Sequence, residues 1–224
     1  YVAYPNLNVK FIGANGGIGG GEREGVTHQF FEDLGIMRSL PSMTVLSPAD
    51  GPEVYKATMS LHQYEGPAYL RVGNGREPKL FNDEINFELG KIRIIKNIGK
   101  DVVLFSTGPI LKRTIKAAEL LKKEGIKATV VEVPTLKPLD KDEITNVLEE
   151  TGAVVTIEDH NIIGGLGSAI AEAGAGHITV PMERIGLQDV FPESGETEEL
   201  LDKYKMGVSD IVNSAKKVYN KTNQ

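Results

Sequence analysis

The sequence contains no cysteine. Disulfides, thiolate nucleophiles and metal sites built from cysteine are therefore excluded. The chain also lacks any long run of lysine and arginine, and its formal net charge is -6 at pH 7. A surface that binds nucleic acid normally carries a basic cluster, so the sequence disfavours a nucleic-acid partner.

Long apolar stretches are missing as well, since no run approaches the ~20 residues that a bilayer span requires. Residues 1–5 (YVAYP) do not begin with methionine and lack the charged, then apolar pattern of a signal peptide. Apolar residues make up 40% of the chain and charged residues 25%, which is ordinary for a soluble globular protein. We therefore expect a cytoplasmic location and no membrane partner, and the first residues resemble the middle of a longer polypeptide.

Short runs rich in valine and isoleucine alternate with amphipathic helical patterns along the chain. This alternation predicts an α/β fold, with parallel sheet flanked by helices. In the first part, Asp50 stands at the N-cap position of a predicted helix that ends near Tyr64, and Glu53 occupies the capping-box position. The predicted strands of this part are residues 9–14, 43–46 and 69–72.

The second part has a more regular pattern and predicts five strands, which is enough for a core of its own. Its predicted strands are residues 91–96, 101–108, 127–133, 153–158 and 177–185. Its predicted helices are residues 110–123, 140–150, 164–175, 197–204 and 209–219. We place a domain boundary near residue 88, which divides the chain into residues 1–88 and 89–224. The three strands of the first part are few, so we expect that part to depend on polypeptide outside this sequence.

A glycine-rich segment follows the first predicted strand and ends at His28. Glycine allows close backbone approach to a ligand and positive φ angles, but the same composition is typical of a flexible surface loop. No acidic partner follows at the distance that a dinucleotide fingerprint requires. Histidine can donate or accept a proton near neutral pH, so His28 is a candidate beside a reacting carbon, with an ordinary packed or exposed histidine as the alternative.

Three other polar motifs allow a plain structural interpretation. Residues 164–168 (GGLGS) open a predicted helix and could bind an anion, but helix–strand packing is the favoured explanation. Residues 158–160 (EDH) could serve metal or acid–base chemistry, and a strand end with solvated charges is favoured instead. Arg71 lies near the end of the third strand, and Asn74 and Arg76 follow it. Arginine at such a place suits phosphate binding but is more often a solvated surface residue.

Taken together, these motifs resemble the transketolase family. The first part carries residues 14–19 (ANGGIG), 25–34 (GVTHQFFEDL) and 37–50 (MRSLPSMTVLSPAD). The second part carries Thr107 and Gly108 before a helix, then residues 134–140 (PTLKPLD), 158–160, 164–168 and 191–195 (FPESG). The resemblance covers nearly the whole chain. It implies a partial parallel-sheet pyrimidine-binding domain, residues 1–88, followed by a five-stranded α/β transketolase C-terminal domain, residues 89–224.

The resemblance implies a reaction that depends on thiamine diphosphate and belongs to carbohydrate metabolism of the pentose phosphate pathway type. A two-carbon ketol unit passes from a ketose phosphate to an aldose phosphate, while the protein positions substrates and manages protons. His28 matches the catalytic residue that hydrogen-bonds the substrate beside the cofactor. Asn15 falls where many members carry a substrate-contacting histidine, and an amide there keeps hydrogen bonding but loses a titratable group.

The sequence departs from the family pattern at two further substrate-binding positions. Its glycine loop is one residue longer before His28, and Glu24 is the candidate for the usual acceptor-contacting aspartate. The family's phosphate-binding arginine would align near Asn74, so Arg76 is the candidate replacement two residues later.

The family's string for magnesium and the diphosphate is absent, as is the glutamate that activates the aminopyrimidine. Cofactor-binding residues in this chain are therefore unknown, and Mg²⁺ would be bound mainly by other polypeptide. Either the chain continues upstream of Tyr1, or a separate N-terminal transketolase subunit supplies that domain. We expect a homodimer or heterotetramer that acts on sugar phosphates, and an isolated chain without activity.

Two alternatives remain open. A sister thiamine enzyme is one, either a deoxyxylulose-phosphate synthase or a 2-oxo acid dehydrogenase beta subunit, although residues 27–33 (THQFFED) favour transketolase. The other is a non-catalytic α/β domain that dimerises or regulates a partner enzyme, to which residues 89–224 alone could belong.

Overall fold

The computed structural model describes residues 1–20, 23–176 and 180–222. The first sheet has four strands in the order β1-β3-β2-β7. They are β1 (Lys10–Gly13), β2 (Thr44–Leu46), β3 (Ala68–Arg71) and β7 (Thr135–Lys137). Strands β1 and β2 run parallel to β3, whereas β7 pairs antiparallel with β2. The second part of the chain therefore contributes an edge strand to the first sheet.

The second sheet has five strands in the order β4-β6-β5-β8-β9. They are β4 (Arg93–Asn97), β5 (Val102–Thr107), β6 (Ala128–Glu132), β8 (Val154–Asn161) and β9 (Met182–Leu187). Only β4 is antiparallel to its neighbour among these described strands, and β5, β6, β8 and β9 are parallel. All six residues of β5 are buried, as expected for a central parallel strand covered on both faces.

Helices cover the sheets. The first part contributes α1 (Asp33–Ser39) and α2 (Gly51–Gln63). The second part contributes a 3₁₀ turn (Gly108–Ile110) and α3 (Leu111–Lys123), α4 (Lys141–Glu150), α5 (Leu166–Gly174), α6 (Thr197–Lys203) and α7 (Val208–Thr222). Helices α3 and α7 pack on one face of the five-stranded sheet, and α4 and α5 pack on the other. None of the described helices is both long and apolar enough to cross a membrane.

Each of the two large hydrophobic clusters contains residues from both parts of the chain. Ile18 is fully buried among residues of α3, α6 and α7. Leu34 and Tyr69 lie in the cluster on the opposite face, together with residues of α4 and α5. Burying a side chain of the size of isoleucine contributes roughly 1.5–3 kcal/mol relative to leaving it exposed. The two parts therefore share their cores rather than meeting across a loose linker.

The structure confirms the predicted α/β class with its two sheets, and most elements lie within a few residues of their predicted bounds. Asp50 caps α2, since its side chain accepts a hydrogen bond from Glu53 N at 3.0 Å. Glu53 in turn accepts from Ala49 N at 2.7 Å, one residue before the usual capping-box partner. Helix α1 and strand β7 were not predicted. Residues 177–179 of the strand predicted at 177–185 lie outside the described residues, and β9 begins at Met182.

Candidate active site at the carboxyl edge of the first sheet

His28 lies on a tight turn that closes the glycine-rich segment. Gly25, at the start of this turn, has a φ of 77°, and its carbonyl accepts hydrogen bonds from His28 N at 2.9 Å and Gln29 N at 3.1 Å. The imidazole is exposed, and its Nδ1 lies 2.9 Å from Thr27 Oγ1. This is the only hydrogen bond of the ring within the described part of the chain, so Nε2 remains available to a ligand.

Asn15 lies beside this turn. It follows the end of β1 by two residues and adopts a left-handed φ of 59°, which asparagine tolerates better than most residues. Asn15 and His28 line the same open cavity of about 440 Å³. Its other lining residues are Ala14, Val26, Thr27, Gln29, Phe30 and Glu32. The cavity lies beyond the carboxyl ends of the parallel strands β1 and β3, where ligands bind in open α/β sheets.

The glycines of this segment make room mainly for the protein's own side chains. A Cβ on Gly16 would overlap the side chain of Arg71, and a Cβ on Gly17 would overlap that of Asp159. Gly17, Ile18 and Gly19 are buried. The flexible surface loop that the composition allowed is therefore wrong for residues 16–19, which are packed between the two parts of the chain.

The remaining predicted site residues do not line the described part of the His28 cavity. Arg76 lines a second cavity of about 330 Å³, together with Asn74 and Lys112. Asn74 stabilises the wall of that cavity, since its Nδ2 donates to Gly19 O at 3.1 Å. Glu24 is exposed and, among the described residues, lines neither cavity. The structure thus brings Asn15 and His28 together, and it does not bring Glu24 or Arg76 to them.

The solvated strand end expected at residues 158–160 is wrong. Strand β8 continues through these residues, and both Glu158 and His160 are fully buried. The half-buried Asp159 reaches into the glycine-rich segment, where its carboxylate accepts from Ile18 N at 2.9 Å and Gly19 N at 3.3 Å. The three side chains therefore connect the end of β8 to neighbouring elements.

The Glu158 side chain occupies the space beside Gly165, the glycine that directly precedes α5. Its carboxylate accepts hydrogen bonds from Leu166 N at 2.6 Å and Gly167 N at 2.9 Å, so the protein supplies its own anion to the start of this helix. A Cβ on Gly165 would overlap this carboxylate. The favoured prediction of helix–strand packing is thus correct at this motif. Burial raises the pKa of Glu158 to about 7, although the two backbone N–H groups oppose that shift.

A buried polar network lies directly behind the His28 turn. Asp33 Oδ2 accepts a hydrogen bond from the Tyr69 hydroxyl at 2.7 Å and forms an ion pair with Arg71 Nε at 3.1 Å. His160 Nε2 accepts from Gly35 N at 3.2 Å, and its Nδ1 lies 2.5 Å from Asn161 O. Burial, helped by the nearby Arg71 guanidinium, lowers the pKa of His160 to about 4, so this imidazole is neutral at pH 7.

Burial first, and then the adjacent Asp33 carboxylate, raise the pKa of Tyr69 well above its usual range. The hydroxyl therefore remains a hydrogen-bond donor to Asp33. Sequence reasoning treated Arg71 as a solvated residue, yet it is only 4% exposed. The available signal was its place in a short apolar strand, where a charged side chain needs partners.

No group of three or more His, Asp or Glu side chains that could hold a metal ion occurs in residues 1–20, 23–176 and 180–222. The polar groups at the His28 cavity are instead an imidazole, a hydroxyl, two amides and one carboxylate, contributed by His28, Thr27, Asn15, Gln29 and Glu32. These groups suit hydrogen bonding to hydroxyls and proton transfer rather than metal coordination.

Comparison with known proteins places the chain in a family. Residues 1–76 match the family model described as transketolase, pyrimidine binding domain, and residues 90–211 match transketolase, C-terminal domain. The boundary that we place near residue 88 falls in the stretch between these matches and stays a prediction.

Three similar proteins match this chain over almost its whole length. A putative transketolase C-terminal section of Methanocaldococcus jannaschii is 40% identical over 213 residues, which cover 94% of this chain and 66% of that protein. A 6-deoxy-6-sulfo-D-fructose transketolase subunit of Clostridium sp. is 38% identical over 222 residues, which cover 99% of this chain and 68% of that protein. A solved structure titled "Split gene transketolase, inactive beta4 tetramer" is 38% identical with a TM-score of 0.89, over 98% of this chain and 69% of that one.

A more distant relative bears on the alternative enzymes. A 1-deoxy-D-xylulose-5-phosphate synthase of Desulforudis audaxviator is 34% identical over 218 residues, which cover 96% of this chain but 34% of that protein. This chain spans about two thirds of the length of the two closer curated relatives. The two matched models, the fold and these relatives show that the chain belongs to the transketolase family and comprises pyrimidine-binding and C-terminal domain sequence.

Proposed function

We propose that this chain is the C-terminal subunit or section of a transketolase that moves a two-carbon ketol unit from a ketose phosphate to an aldose phosphate. The observation that carries the proposal is the open cavity shared by His28 and Asn15. It lies at the carboxyl edge of the first sheet, where ligands bind in open α/β sheets. The names of two relatives, a transketolase C-terminal section and a transketolase subunit, support ketol transfer as the type of reaction.

His28 is the catalytic residue in this proposal. Its Nδ1 lies beside the Thr27 hydroxyl, which restrains the ring, and its Nε2 is free within the described residues to bind a substrate hydroxyl. An imidazole nitrogen can accept a proton from a bound hydroxyl or donate one to it. His28 would therefore orient the ketose hydroxyl next to the bond that breaks and accept or return its proton.

Asn15, Glu24 and Arg76 are the proposed substrate-binding residues. Asn15 can donate and accept hydrogen bonds from the same cavity as His28. Arg76 lines the second cavity, on the other side of the glycine-rich segment, and Glu24 is at the surface. Contact between either of these two residues and a substrate at His28 would require a long substrate or a shift of the loop.

The cofactor of the proposed reaction is thiamine diphosphate, which supplies the nucleophilic carbon that attacks the ketose carbonyl. The residues present fit one part of this group. Val26 and Phe30 are 47% and 40% exposed and line the His28 cavity, so they offer apolar surface to a flat ring. The cavity is open, and its described lining residues include no lysine or arginine, whereas a diphosphate would need cationic side chains. We propose that another polypeptide encloses the cofactor and binds its diphosphate with Mg²⁺.

That other polypeptide is an N-terminal transketolase subunit or domain, and the assembly is a homodimer or heterotetramer. Two features support this. Two of its relatives are named as a transketolase C-terminal section and a transketolase subunit. In addition, the neighbouring solved structure is named as an inactive tetramer of beta chains. We therefore propose that the present chain has no turnover alone and gains it with the N-terminal partner.

The experiment compares the chain alone, the N-terminal partner alone and the two together. Each is supplied with thiamine diphosphate and Mg²⁺ and assayed with a ketose phosphate and an aldose phosphate. Ketol transfer that occurs only in the mixture supports the proposal. Turnover by this chain without its partner, at the rate of the mixture, contradicts it. His28→Ala should abolish most turnover, whereas His62→Ala, on the exposed face of α2, should retain it. His160 is a poor control because it is fully buried.

The second candidate is a deoxyxylulose-phosphate synthase activity, which the similarity to such a synthase favours. The same preparations assayed with pyruvate and an aldose phosphate distinguish the two. Product formation from pyruvate but not from the ketose phosphate would replace the transketolase assignment by the synthase.

A further inference from the structure

Arg71, the last residue of β3, connects three separate segments of the chain. Its Nη2 donates to Phe30 O at 3.1 Å and to Asp159 O at 2.8 Å, and its Nε lies 3.1 Å from Asp33 Oδ2. The side chain is 4% exposed. A guanidinium suits this task because its donors are held in one rigid plane, whereas a lysine ammonium is a single point of charge. Arg71 thus connects the strand of the first sheet to the end of β8.

The contact with Phe30 fixes the segment that carries His28. Phe30 O also accepts from Gly17 N at 2.8 Å, so this one carbonyl is held by the glycine-rich segment and by Arg71 together. Phe30 is two residues after His28, and the turn between Gly25 and Gln29 is itself closed by hydrogen bonds to Gly25 O. The backbone on the C-terminal side of His28 is therefore held at Phe30 O by Gly17 N and the Arg71 guanidinium.

Asp159 holds the same region from the second part of the chain. Its carboxylate accepts from Ile18 N and Gly19 N, while its carbonyl accepts from Arg71. The glycines leave room for these contacts, since a Cβ on Gly16 would overlap Arg71 and a Cβ on Gly17 would overlap Asp159. Gly16 and Gly17 thus rest against the side chains of Arg71 and Asp159.

We propose that Arg71 and Asp159 are positioning residues, through which the end of β8 sets the place of the His28 imidazole. The C-terminal domain then serves the reaction directly, as part of the support of the active-site turn, in addition to any role in assembly. The part of this inference that concerns turnover rests on the proposed function. The part that concerns the position of the turn does not.

The first test measures hydrogen–deuterium exchange in the purified chain with Arg71→Lys, which keeps the charge beside Asp33 but loses the planar pair of donors. Amides of residues 25–32 should exchange at least ~10-fold faster, while α7 keeps its protection. The control is Arg38→Lys. Arg38 also connects α1 to the second part, through Gly164 O at 2.5 Å and Glu172 Oε2 at 2.8 Å, but it does not contact the His28 segment.

Unchanged exchange in residues 25–32 of Arg71→Lys would overturn the inference. So would an equal acceleration over the whole chain, because that result assigns Arg71 to general stability. Asp159→Asn provides a second variant at a site that reaches solvent. It should accelerate exchange in residues 16–19 and 25–32 together, since Gly17 N and Phe30 O join the two segments. Acceleration in neither segment would count against the role of Asp159.

The second test uses the enzyme assembled with its N-terminal partner. Arg71→Lys should lower kcat by ~10- to 100-fold, because a misplacement of about 1 Å has effects of this size, and it should leave the KM for thiamine diphosphate within about twofold. Arg38→Lys should change neither. An unaltered kcat in Arg71→Lys would overturn the inference. If the wild-type assembly has no ketol transfer, the proposed function fails, and the exchange experiment still decides the positioning role.

Discussion

The carboxyl pair between α2 and β6 leads to a specific prediction about pH. Glu53 and Glu132 are both fully buried, and Arg93 bridges them with contacts of 3.1 Å to Glu53 Oε1 and 2.9 Å to Glu132 Oε2. One guanidinium faces two carboxyl groups, with the Asp50 carboxylate also nearby. Burial first, and then the neighbouring Glu53, raise the pKa of Glu132 well above its ordinary value of 4.5. This direction favours a protonated Glu132 carboxyl that donates to Glu53 in the folded protein.

The sign of the pH effect follows from this raised pKa. The folded state keeps a proton that the unfolded state releases, so the stabilisation is complete below pH 4.5 and is lost as the pH rises through the folded pKa. One proton corresponds to ~1.4 kcal/mol of unfolding free energy per pH unit within that window. For a chain of this length, that equals a fall in Tm of roughly 3–5 °C per pH unit.

Glu132→Gln tests this reasoning, because an amide donates to Glu53 as the neutral carboxyl does but cannot ionise. The unfolding free energy is measured by urea titration from pH 5 to pH 9. Below the folded pKa of Glu132, we expect that of wild type to fall with pH more steeply than that of Glu132→Gln, by ~1.4 kcal/mol per pH unit. Other titrating groups act on both proteins equally and cancel in the difference. Glu119→Gln removes an exposed carboxyl paired with Lys96 and should retain the wild-type slope. Parallel curves for wild type and Glu132→Gln would refute the shared proton.

Three further predictions concern other parts of the structure. Asp50 accepts from Glu53 N, Leu80 N and Phe81 N, so Asp50→Ala should lower the unfolding free energy by at least ~2 kcal/mol, and an unchanged urea midpoint would contradict this. Gly16→Ala should lower Tm because its Cβ meets Arg71, whereas Gly51→Ala, with nothing within 4 Å at the start of α2, should leave Tm unchanged or raise it slightly. The buried imidazole of His160, with its pKa lowered to about 4, should stay neutral from pH 5 to pH 8 in ¹⁵N-detected NMR, and a transition near pH 6.5 would contradict its burial. Because this pKa is depressed, its stabilisation is present above pH 6.5 and is lost as the pH falls toward 4.

Hydrophobic periodicity was enough to predict most of the fold. The buried strands β5, β6 and β8 each contain consecutive apolar residues, as parallel strands require, and α3 and α4 have apolar residues at helical spacing. Asp50 was recognisable as an N-cap because capping depends on local chemistry. Strand β7 was missed because its three residues gain their pairing from β2, about 90 residues earlier in the chain. No local pattern reports such a contact.

The support of the candidate site was harder to predict for the same reason. His28 and Asn15 were found through family motifs, and the structure shows their common cavity. The roles of Arg71, Asp159 and His160 depend on distances between segments that are far apart in sequence. Charged residues at a strand end are usually solvated, so the favoured explanation failed where β8 continued into the interior. Only tertiary structure reveals that such charges have buried partners.

The central claim is that the exposed His28 imidazole faces a cofactor enclosed mainly by another polypeptide. Its most direct test is a crystal structure of the assembled enzyme with thiamine diphosphate and a ketose phosphate. The account predicts His28 Nε2 within ~3.2 Å of a substrate hydroxyl, with the diphosphate and its Mg²⁺ held by the partner. A substrate bound elsewhere, with His28 facing bulk solvent in the assembled enzyme, would contradict it.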